Sequence, residues 1–335
     1  MKLLIHSYQF DGRGSGKIPL RYAKYLRDYN NHEITFITSK YADNSGVSKI
    51  EEEFGVKYYD CKSVAHQSPD EQKLTNRVIE KTISELNTDF IYFLKSGQND
   101  NINPGNCRSG IHCIFNMEYP HGNVYAGVSE YLAKKFNRID YVPHIVEYKQ
   151  PNENFRKKLG ISNDMFVVGR HGGSGQFNIP FVHRAVEDIL KHRKDIFFLF
   201  LSTDKFINDD RVLFLPHTTD EQEIFNFIDA CDVMLHGRND GETFGMAVAE
   251  FSVSNKPVMT WSGLLDGERY RRYDTCHIDL LGDKAIIYNG YSDLLDTLYS
   301  IDGNFIKQHN WDKYSIKFSP KNVINKFSEV FLNGK

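Results

Sequence analysis

Two carboxylates frame the most chemically suggestive stretch of the chain, CDVMLHGRNDGETFGMAVAEFSVSNKPVMT at 231 to 260. Glu242 stands just ahead of a helical run expected over Phe244 to Val253, and Glu250 lies about two turns inside it. At roughly 1.5 Å of rise per residue, the two acids are at most about 12 Å apart along the axis. Between them Gly245 lets a ligand approach the first turn, whose free N–H groups at Phe244 to Met246 suit an anion. An anion flanked by two acceptors of hydroxyl hydrogen bonds describes a nucleoside diphosphate sugar. Its sugar hydroxyls would go to Glu242, its phosphates to the helix start and its ribose hydroxyls to Glu250. Paired glutamates also occur on ordinary solvated helix faces, so the flanking elements must carry part of the reading.

Those elements form a strand, loop, helix, strand unit. The apolar run Asp232 to Leu235 predicts a buried parallel strand, His236 to Glu242 a polar loop, and Pro257 to Thr260 a second strand. Such a crossover runs right-handed on a parallel sheet. Earlier in this half, Phe166 to Gly169 predicts a strand that runs into Arg170. Ile196 to Ser202 and Val212 to Leu215 predict two more, placed beside a base pocket at the carboxyl ends of the sheet.

The first half repeats the pattern. Lys2 to Ser7 reads as a strand, Gly12 to Gly16 as a glycine-rich loop, Lys17 to Tyr29 as an amphipathic helix, and Asn30 to Thr38 as a turn into a second strand. That is the opening of a doubly wound α/β domain. Asp11 stands where a Walker A loop needs its first Gly and Ile18 where it needs Ser or Thr, so a P-loop is not expected. Lys17, Arg21 and Lys24 share one helix face. The ordinary reading is a solvated stripe, and the alternative is a surface for an anionic acceptor or a membrane. Then follow a helix at Glu71 to Leu86 and strands at Phe90 to Leu94 and Ile111 to Asn116, with Ser129 as the N-cap of a further helix. Pro143 forces extended chain before it, and the domain boundary is placed there.

Bulk properties fit this plan. A length of 335 residues favours two domains, and 40% apolar with 13% aromatic residues fits a globular protein without a spanning stretch. A net charge of -3 leaves no electrostatic footprint for nucleic acid. The five cysteines (61, 107, 113, 231, 276) are scattered without metal-ligand spacing. Cys107 and Cys113 admit a surface pair, but reduced buried thiols fit better, and a cytoplasmic location is expected. Met1 to Phe10 turns polar too early for a leader and is read as the first strand.

The run Glu242-Thr-Phe244-Gly245-Met-Ala-Val-Ala-Glu250, with a strand before it and Lys256-Pro257-Val258 after it, resembles the paired-glutamate motif of retaining glycosyltransferases of family 4. That resemblance implies the GT-B fold, an α/β architecture of two Rossmann-like doubly wound domains facing each other across a cleft. The expected limits are 1–143 for the acceptor-side domain, 144–318 for the nucleotide-sugar domain, and 319–335 for a C-terminal helix packing back on the first. Gly169-Arg170 looks like the family's strand end that grips the diphosphate, but Gln176 stands where the family has a Lys. A neutral Gln contributes far less to leaving-group charge than a cation. Lys205 and Arg238, on loops at the same sheet edge, are the expected substitutes. Gly14 belongs to a loop resembling the one that faces the donor phosphates. His121 matches the loop histidine that lines the sugar site, with Glu118 as the next choice. The Pro143-His144-Ile145 segment resembles the family's linker, and Asn310-Trp311 with the last helix its terminal segment. The chain is short for the family and looks like its trimmed, virus-encoded members, which would place it in a host cytoplasm.

The resemblance thus implies hexose transfer with retention from a nucleoside diphosphate sugar to an acceptor hydroxyl of a glycan, glycoprotein or lipid. Glu242, His121 and Arg170 would be catalytic. Gly14, Lys205, Arg238, Phe244, Gly245, Met246 and Glu250 would hold the donor. No metal or other cofactor is expected, because no Asp-x-Asp motif is present and the family needs none. GDP-mannose is favoured over a UDP-glucose type of donor by resemblance alone. Membrane contact would be peripheral at most, and a homodimer stays open. The rivals are a sugar-nucleotide epimerase or hydrolase of the same architecture and a catalytically weak nucleotide-sugar binding protein, the latter motivated by Gln176. A dehydrogenase fits least, since the glycines at 12, 14 and 16 lack the third, later Gly of the dinucleotide fingerprint.

Overall fold

The computed structural model describes residues 1–8, 10, 14–42, 47–60, 67–265, 268–270 and 272–333. The chain divides into two compact units, Met1–Ile145 with Phe318–Lys335, and Val146–Lys317.

The first unit holds strands β1 (Lys2–His6), β2 (Glu33–Ser39), β3 (Gly55–Tyr59), β4 (Phe90–Lys95), β5 (Arg108–Cys113) and β6 (Val124–Gly127). Its helices are α1 (Gly14–Asn30), α2 (Val47–Glu51), α3 (Pro69–Leu86) and α4 (Glu130–Lys135). All six strands pair in parallel, in the order β3-β2-β1-β4-β5-β6. Central strands such as FIYFLK are buried along their whole length, as a sheet covered on both faces demands. Helix α3 starts on a reciprocal cap, in which Ser68 accepts from the Glu71 N–H and the Glu71 carboxylate accepts from the Ser68 N–H. Ser129 caps α4 by accepting from the Leu132 N–H at 3.0 Å. The C-terminal helix Pro320–Phe327 and the turn after it seat Phe327 against Tyr22, with ring centroids 5.2 Å apart, and Phe331 against Tyr92 at 5.5 Å. Gly110 in β5 makes this possible: a Cβ there would stand 2.6 Å from the Phe331 and Phe90 rings.

Two local expectations change. Helix α1 begins at Gly14, so Gly14 to Gly16 form its first turn instead of a loop, while Gly12 and Arg13 lie outside the described residues. The basic stripe is not an open face either. Arg21 is buried and donates to the Ile145 carbonyl at 3.0 Å, leaving Lys24 as the exposed member of the three.

The second unit holds β7 (Phe166–Arg170), β8 (Ile196–Leu201), β9 (Val212–Leu215), β10 (Val233–His236), β11 (Gly241–Glu242), β12 (Val258–Trp261), β13 (Leu264–Leu265), β14 (Glu268–Arg269), β15 (Asp274–Thr275) and β16 (Ala285–Tyr288). Its helices are α5 (Phe155–Lys158), α6 (Pro180–His192), α7 (Glu221–Ala230), α8 (Met246–Val253), α9 (Cys276–Leu281), α10 (Tyr291–Ser300) and α11 (Gly303–Lys307). The main sheet runs β16-β12-β10-β7-β8-β9, again parallel throughout. Helix α6 turns Val182, Ala185, Val186, Ile189 and Leu190 inward, the i, i+3, i+4 spacing of a core-facing stripe, onto a core that includes Phe198 and Phe200.

Both sheets share one order. The first strand is central, the next two lie on one side of it and the following three on the other. The chain therefore reverses direction across the sheet between β1 and β4, and again between β7 and β10. Open α/β sheets bind ligands beyond the carboxyl ends of the strands at such a reversal.

Candidate functional site

In the second unit the two strands at the reversal end in basic residues. Arg170 closes β7 and His236 closes β10, each 4% exposed. From His236 the chain turns sharply. A Cβ on Gly237 would stand 2.6 Å from the Phe177 ring, and Asn178 pins the turn by donating to the Gly237 carbonyl and accepting from the Asn239 N–H. Short strand β11 then pairs in parallel with β15, Gly241 beside Asp274 and Glu242 beside Thr275. Gly241 has φ 64°, and a Cβ there would lie 2.1 Å from the Asp274 carbonyl oxygen. This backbone anchor fixes where the Glu242 side chain emerges.

Gly245 follows as the N-cap of α8 with φ 85° and ψ 70°, a left-handed conformation that favours glycine. No side chain caps this helix, and its first turn carries no acid. The first helical bond runs from the Ala249 N–H to the Gly245 carbonyl at 2.9 Å. The preceding amides at Met246 to Val248 thus form an uncapped, partly positive helix start beside Glu242.

Glu242 sits between two cationic or donor groups. One carboxylate oxygen is 3.4 Å from His236 Nε2 and the other 3.0 Å from an Arg238 guanidinium nitrogen. Burial alone would raise its pKa. The hydrogen bond from His236 and the charge of Arg238 outweigh that and hold the carboxyl below the usual range. Arg238 Nε and Asn239 Oδ1 are buried without hydrogen-bond partners, so polar capacity is left over at this edge. Glu250 points elsewhere than toward Glu242's partners: its Oε2 is 3.2 Å from Nε2 of His171, the residue after β7. His171 in turn stacks on Phe251 at 5.7 Å. The approach of His171 to Glu250 lacks hydrogen-bond geometry.

Arg170 is spent largely on the protein. Its guanidinium donates to the Ser202 and Gly173 carbonyls and to the Thr203 hydroxyl, at 3.3, 2.8 and 2.6 Å. Burial draws its pKa down to about 10, with Glu242 opposing and Arg238 reinforcing the shift. It therefore braces the two loops beyond β7 and β8 and adds positive potential to the edge. Gln176 lies in that first loop, where its N–H donates to the Gly173 carbonyl. Of the two cations considered in its place, Arg238 reaches the Glu242 group, whereas Lys205 is bound to Asn208 at 3.1 Å on the loop after β8. Phe244 is buried against Tyr314, and Met246 is half-buried in the first turn of α8.

The first unit presents a comparable edge. His6 closes β1 and Lys95 closes β4, with 0% and 1% exposure. Lys95 Nζ donates to Asp100 at 2.7 Å and to the Ile102 carbonyl at 2.7 Å, and it stands 3.1 Å from His121 Nε2. His121 Nδ1 faces the Tyr119 carbonyl at 2.7 Å, which can only accept, so Nδ1 carries the proton and Nε2 receives from Lys95. Both ring nitrogens of His121 are thus engaged within the unit. Tyr8 donates to the second oxygen of Asp100. Burial pushes the Lys95 ammonium down and the Asp100 carboxyl up, and it draws His6 down to about 3 with Lys95 reinforcing it. Glu118, the second-choice acid, is held by Asn116 on both its N–H and its carboxylate. Asp100→Ala should therefore destabilise the fold strongly, by about 3–5 kcal/mol, because it leaves a buried ammonium without its counter-charge. Urea unfolding of the variant against the parent measures this.

Several of these residues escape sequence reasoning: His171, His236, Lys95 and Asp100. A signal was present, since KLLIH, FIYFLK, FVVGR and VMLH are apolar runs each closed by a basic residue. Among the described residues no group of three or more His, Cys, Asp or Glu is placed to hold a metal ion. Cys113, Cys231 and Cys276 are buried free thiols and Cys107 is a half-buried one, while Cys61 lies outside the described residues. No described helix is long and apolar enough to cross a membrane. A cavity of about 770 Å³ opens at the amino ends of β7 and β8, lined by Arg156, Asp164, Arg193 and Asp232 among others, and includes none of the residues above.

No protein-family model matches the chain, and no curated protein does. Solved structures do. HepE from Anabaena, crystallised in complex with UDP and glucose, is similar with a TM-score of 0.74 at 14% identity, covering 98% of each chain. A glycosyltransferase from Rickettsia africae gives a TM-score of 0.69 at 12% identity, over 98% of this chain and 94% of that one. A UDP-N-acetylglucosamine 2-epimerase gives 0.62 at 8% identity, over 98% and 96%. These likenesses, with the two parallel sheets of one shared order, establish the GT-B fold of two Rossmann-like domains.

Proposed function

We propose that the chain is a retaining glycosyltransferase that moves a hexose from a nucleoside diphosphate sugar to an acceptor hydroxyl. The observation that carries this reading is the Glu242 carboxylate, held ionised by His236 and Arg238 beside the uncapped start of α8. A carboxylate there accepts from sugar hydroxyls, while the helix start and Arg238 face the charge that develops on the departing diphosphate. Arg170 contributes from behind, by bracing the phosphate-side loops. With positive charge supplied in this way, the reaction as proposed draws on no metal. No side chain is assigned as a covalent nucleophile, in keeping with a front-face reaction in which the leaving phosphate helps deprotonate the acceptor. Glu250 is assigned to the ribose, with His171 as its neighbour. Membership of family 4 is proposed from the Glu242 to Glu250 spacing, and kinship with its virus-encoded members from overall resemblance alone.

The donor base is the open specificity. Family resemblance favours GDP-mannose, whereas the HepE structure was obtained with UDP and glucose. The acceptor is taken to be the hydroxyl of a glycan, glycoprotein or lipid. A cytoplasmic setting fits buried free thiols. Glu250→Ala separates the roles: it should weaken the free diphosphate by about tenfold, the loss of one charge-assisted hydrogen bond. Calorimetric titration measures this, and unchanged affinity would remove Glu250 from the ribose.

The epimerase reading has one observation behind it, the buried histidines next to Glu242, which offer proton-transfer groups a transferase does not need. Incubating the donor without acceptor decides between them. An epimerase would convert or hydrolyse it, and a transferase would leave it largely intact until an acceptor is supplied.

A further inference from the structure

Behind Glu242 lies a line of buried polar groups that runs away from the helix start into the sheet. His236 Nε2 faces Glu242, His236 Nδ1 is 2.9 Å from the Thr260 hydroxyl, and that hydroxyl is 2.9 Å from His277 Nε2. His236 is 4% exposed, and Thr260 and His277 are wholly buried. The elements fix the spacing: β10 pairs with β12 so that His236 stands directly beside Thr260, and α9 lays His277 against the same end.

Proton counting gives the line a direction. A carboxylate only accepts, so His236 must carry its proton on Nε2 to bond Glu242. The Thr260 hydroxyl has one proton for two ring nitrogens, so it donates to one ring and accepts from the other. Tyr273 spends its hydroxyl proton on the Trp261 carbonyl at 2.6 Å and presents only lone pairs to His277 Nε2 at 3.4 Å. His277 Nε2 thus faces two oxygens that can accept, and it carries the proton. The Thr260 hydroxyl is then free to donate to His236 Nδ1, which leaves Nε2–H for Glu242. His277 Nδ1 makes no hydrogen bond of normal geometry. Burial holds His277 neutral, well below the usual histidine range, with the charge of Arg238 reinforcing it; the Asp274 carbonyl opposes this without forming a hydrogen bond of normal geometry. Finally Tyr288 donates to the His236 carbonyl at 2.6 Å and fixes its backbone.

We propose that His236 is a positioning residue for Glu242, its ring locked by the Thr260–His277 line so that one N–H is permanently presented to the carboxylate. Its effect on turnover rests on the sugar-transfer reading above, but the ring state itself does not. The line fixes one rotamer of Glu242 and leaves the second carboxylate oxygen, shared with Arg238, as the face that a substrate hydroxyl meets. Glutamine reproduces the Nε2 position with an N–H donor, whereas asparagine reproduces only the Nδ1 position.

Two measurements test this. Long-range nitrogen-proton NMR of the ring nitrogens in the full chain should show His236 and His277 both as neutral Nε2–H forms, with the His236 signal shifting in Glu242→Gln. A doubly protonated His236 with Nδ1–H on His277, or an unlinked His236, overturns the proposal whether or not the protein transfers sugar. In turnover assays, His236→Gln should keep kcat within about fivefold of the parent, and His236→Asn should lose about a hundredfold, with the diphosphate affinity of both unchanged. Equal losses in the two variants at equal melting temperature would reduce His236 to a packing residue. If the parent itself binds no donor while the ring states are as stated, the transfer reading fails and the positioning of Glu242 stands.

Discussion

Glu242→Ala is expected to lower sugar transfer on the order of a thousandfold while leaving the affinity for free nucleoside diphosphate within about threefold. The carboxylate stands just ahead of the uncapped start of α8, held between His236 and Arg238. The phosphates, by contrast, are assigned to the helix amides and to Arg238, which the substitution leaves in place. Donor turnover and calorimetric titration on the same preparation measure both halves. Simultaneous loss of diphosphate binding would contradict the assigned role, because Glu242 would then be holding the nucleotide or the loop. A second readout follows from its depressed pKa. The stability that this carboxylate contributes is present above the ordinary value of 4.5 and is lost as pH falls through its lower folded value. Glu242→Gln should flatten that acid-side decline.

Gly245→Ala should be nearly as damaging for a different reason. At φ 85° any side chain is strained, at a cost of about 1–2 kcal/mol. The added Cβ would also lie 3.2 Å from Cβ and Cγ of Glu242 and 3.4 Å from Cβ of His277. Pushing the Glu242 side chain by about 1 Å is expected to cost about a hundredfold in kcat. Gly282→Ala supplies the control. Gly282 ends α9 with φ 58° and ψ -127°, and nothing lies within 4 Å of the Cβ it would gain. Both variants should lose melting temperature, but only Gly245→Ala should lose turnover. Equal activity in the two would mean that the glycine serves the turn alone.

The layout of the chain was legible wherever apolar runs were long and bounded by turn residues. The strand, loop, helix, strand unit around Glu242 appears within a residue or two, with β10, α8 and β12 where the pattern put them. The start of α1 was misread because glycines at 14 and 16 look like a loop, yet the helix accepts them in its first turn. Arg21 was misread because helical periodicity places a side chain on a face without revealing what packs there, and its guanidinium caps the Ile145 carbonyl. The candidate residues divide in the same way. Glu242, Gly245 and Arg238 lie close in sequence, so spacing revealed their grouping. His236, Thr260 and His277 meet only because β10 pairs with β12 and α9 folds against them, a register that no local pattern encodes. Likewise Lys95 and His121 are brought together by the pairing of β4, β5 and β6. What could be read in advance was the basic residue at the end of each strand flanking a chain reversal, and those four residues mark both edges.

The most direct test of the central claim is calorimetric titration of the whole chain with GDP-mannose, UDP-glucose, GDP and UDP, repeated on Glu242→Ala. The account expects one donor and its own diphosphate to bind saturably, and the diphosphate to bind the variant with nearly unchanged affinity. Absence of binding by all four would contradict it, leaving the GT-B fold without a nucleotide-sugar site at α8.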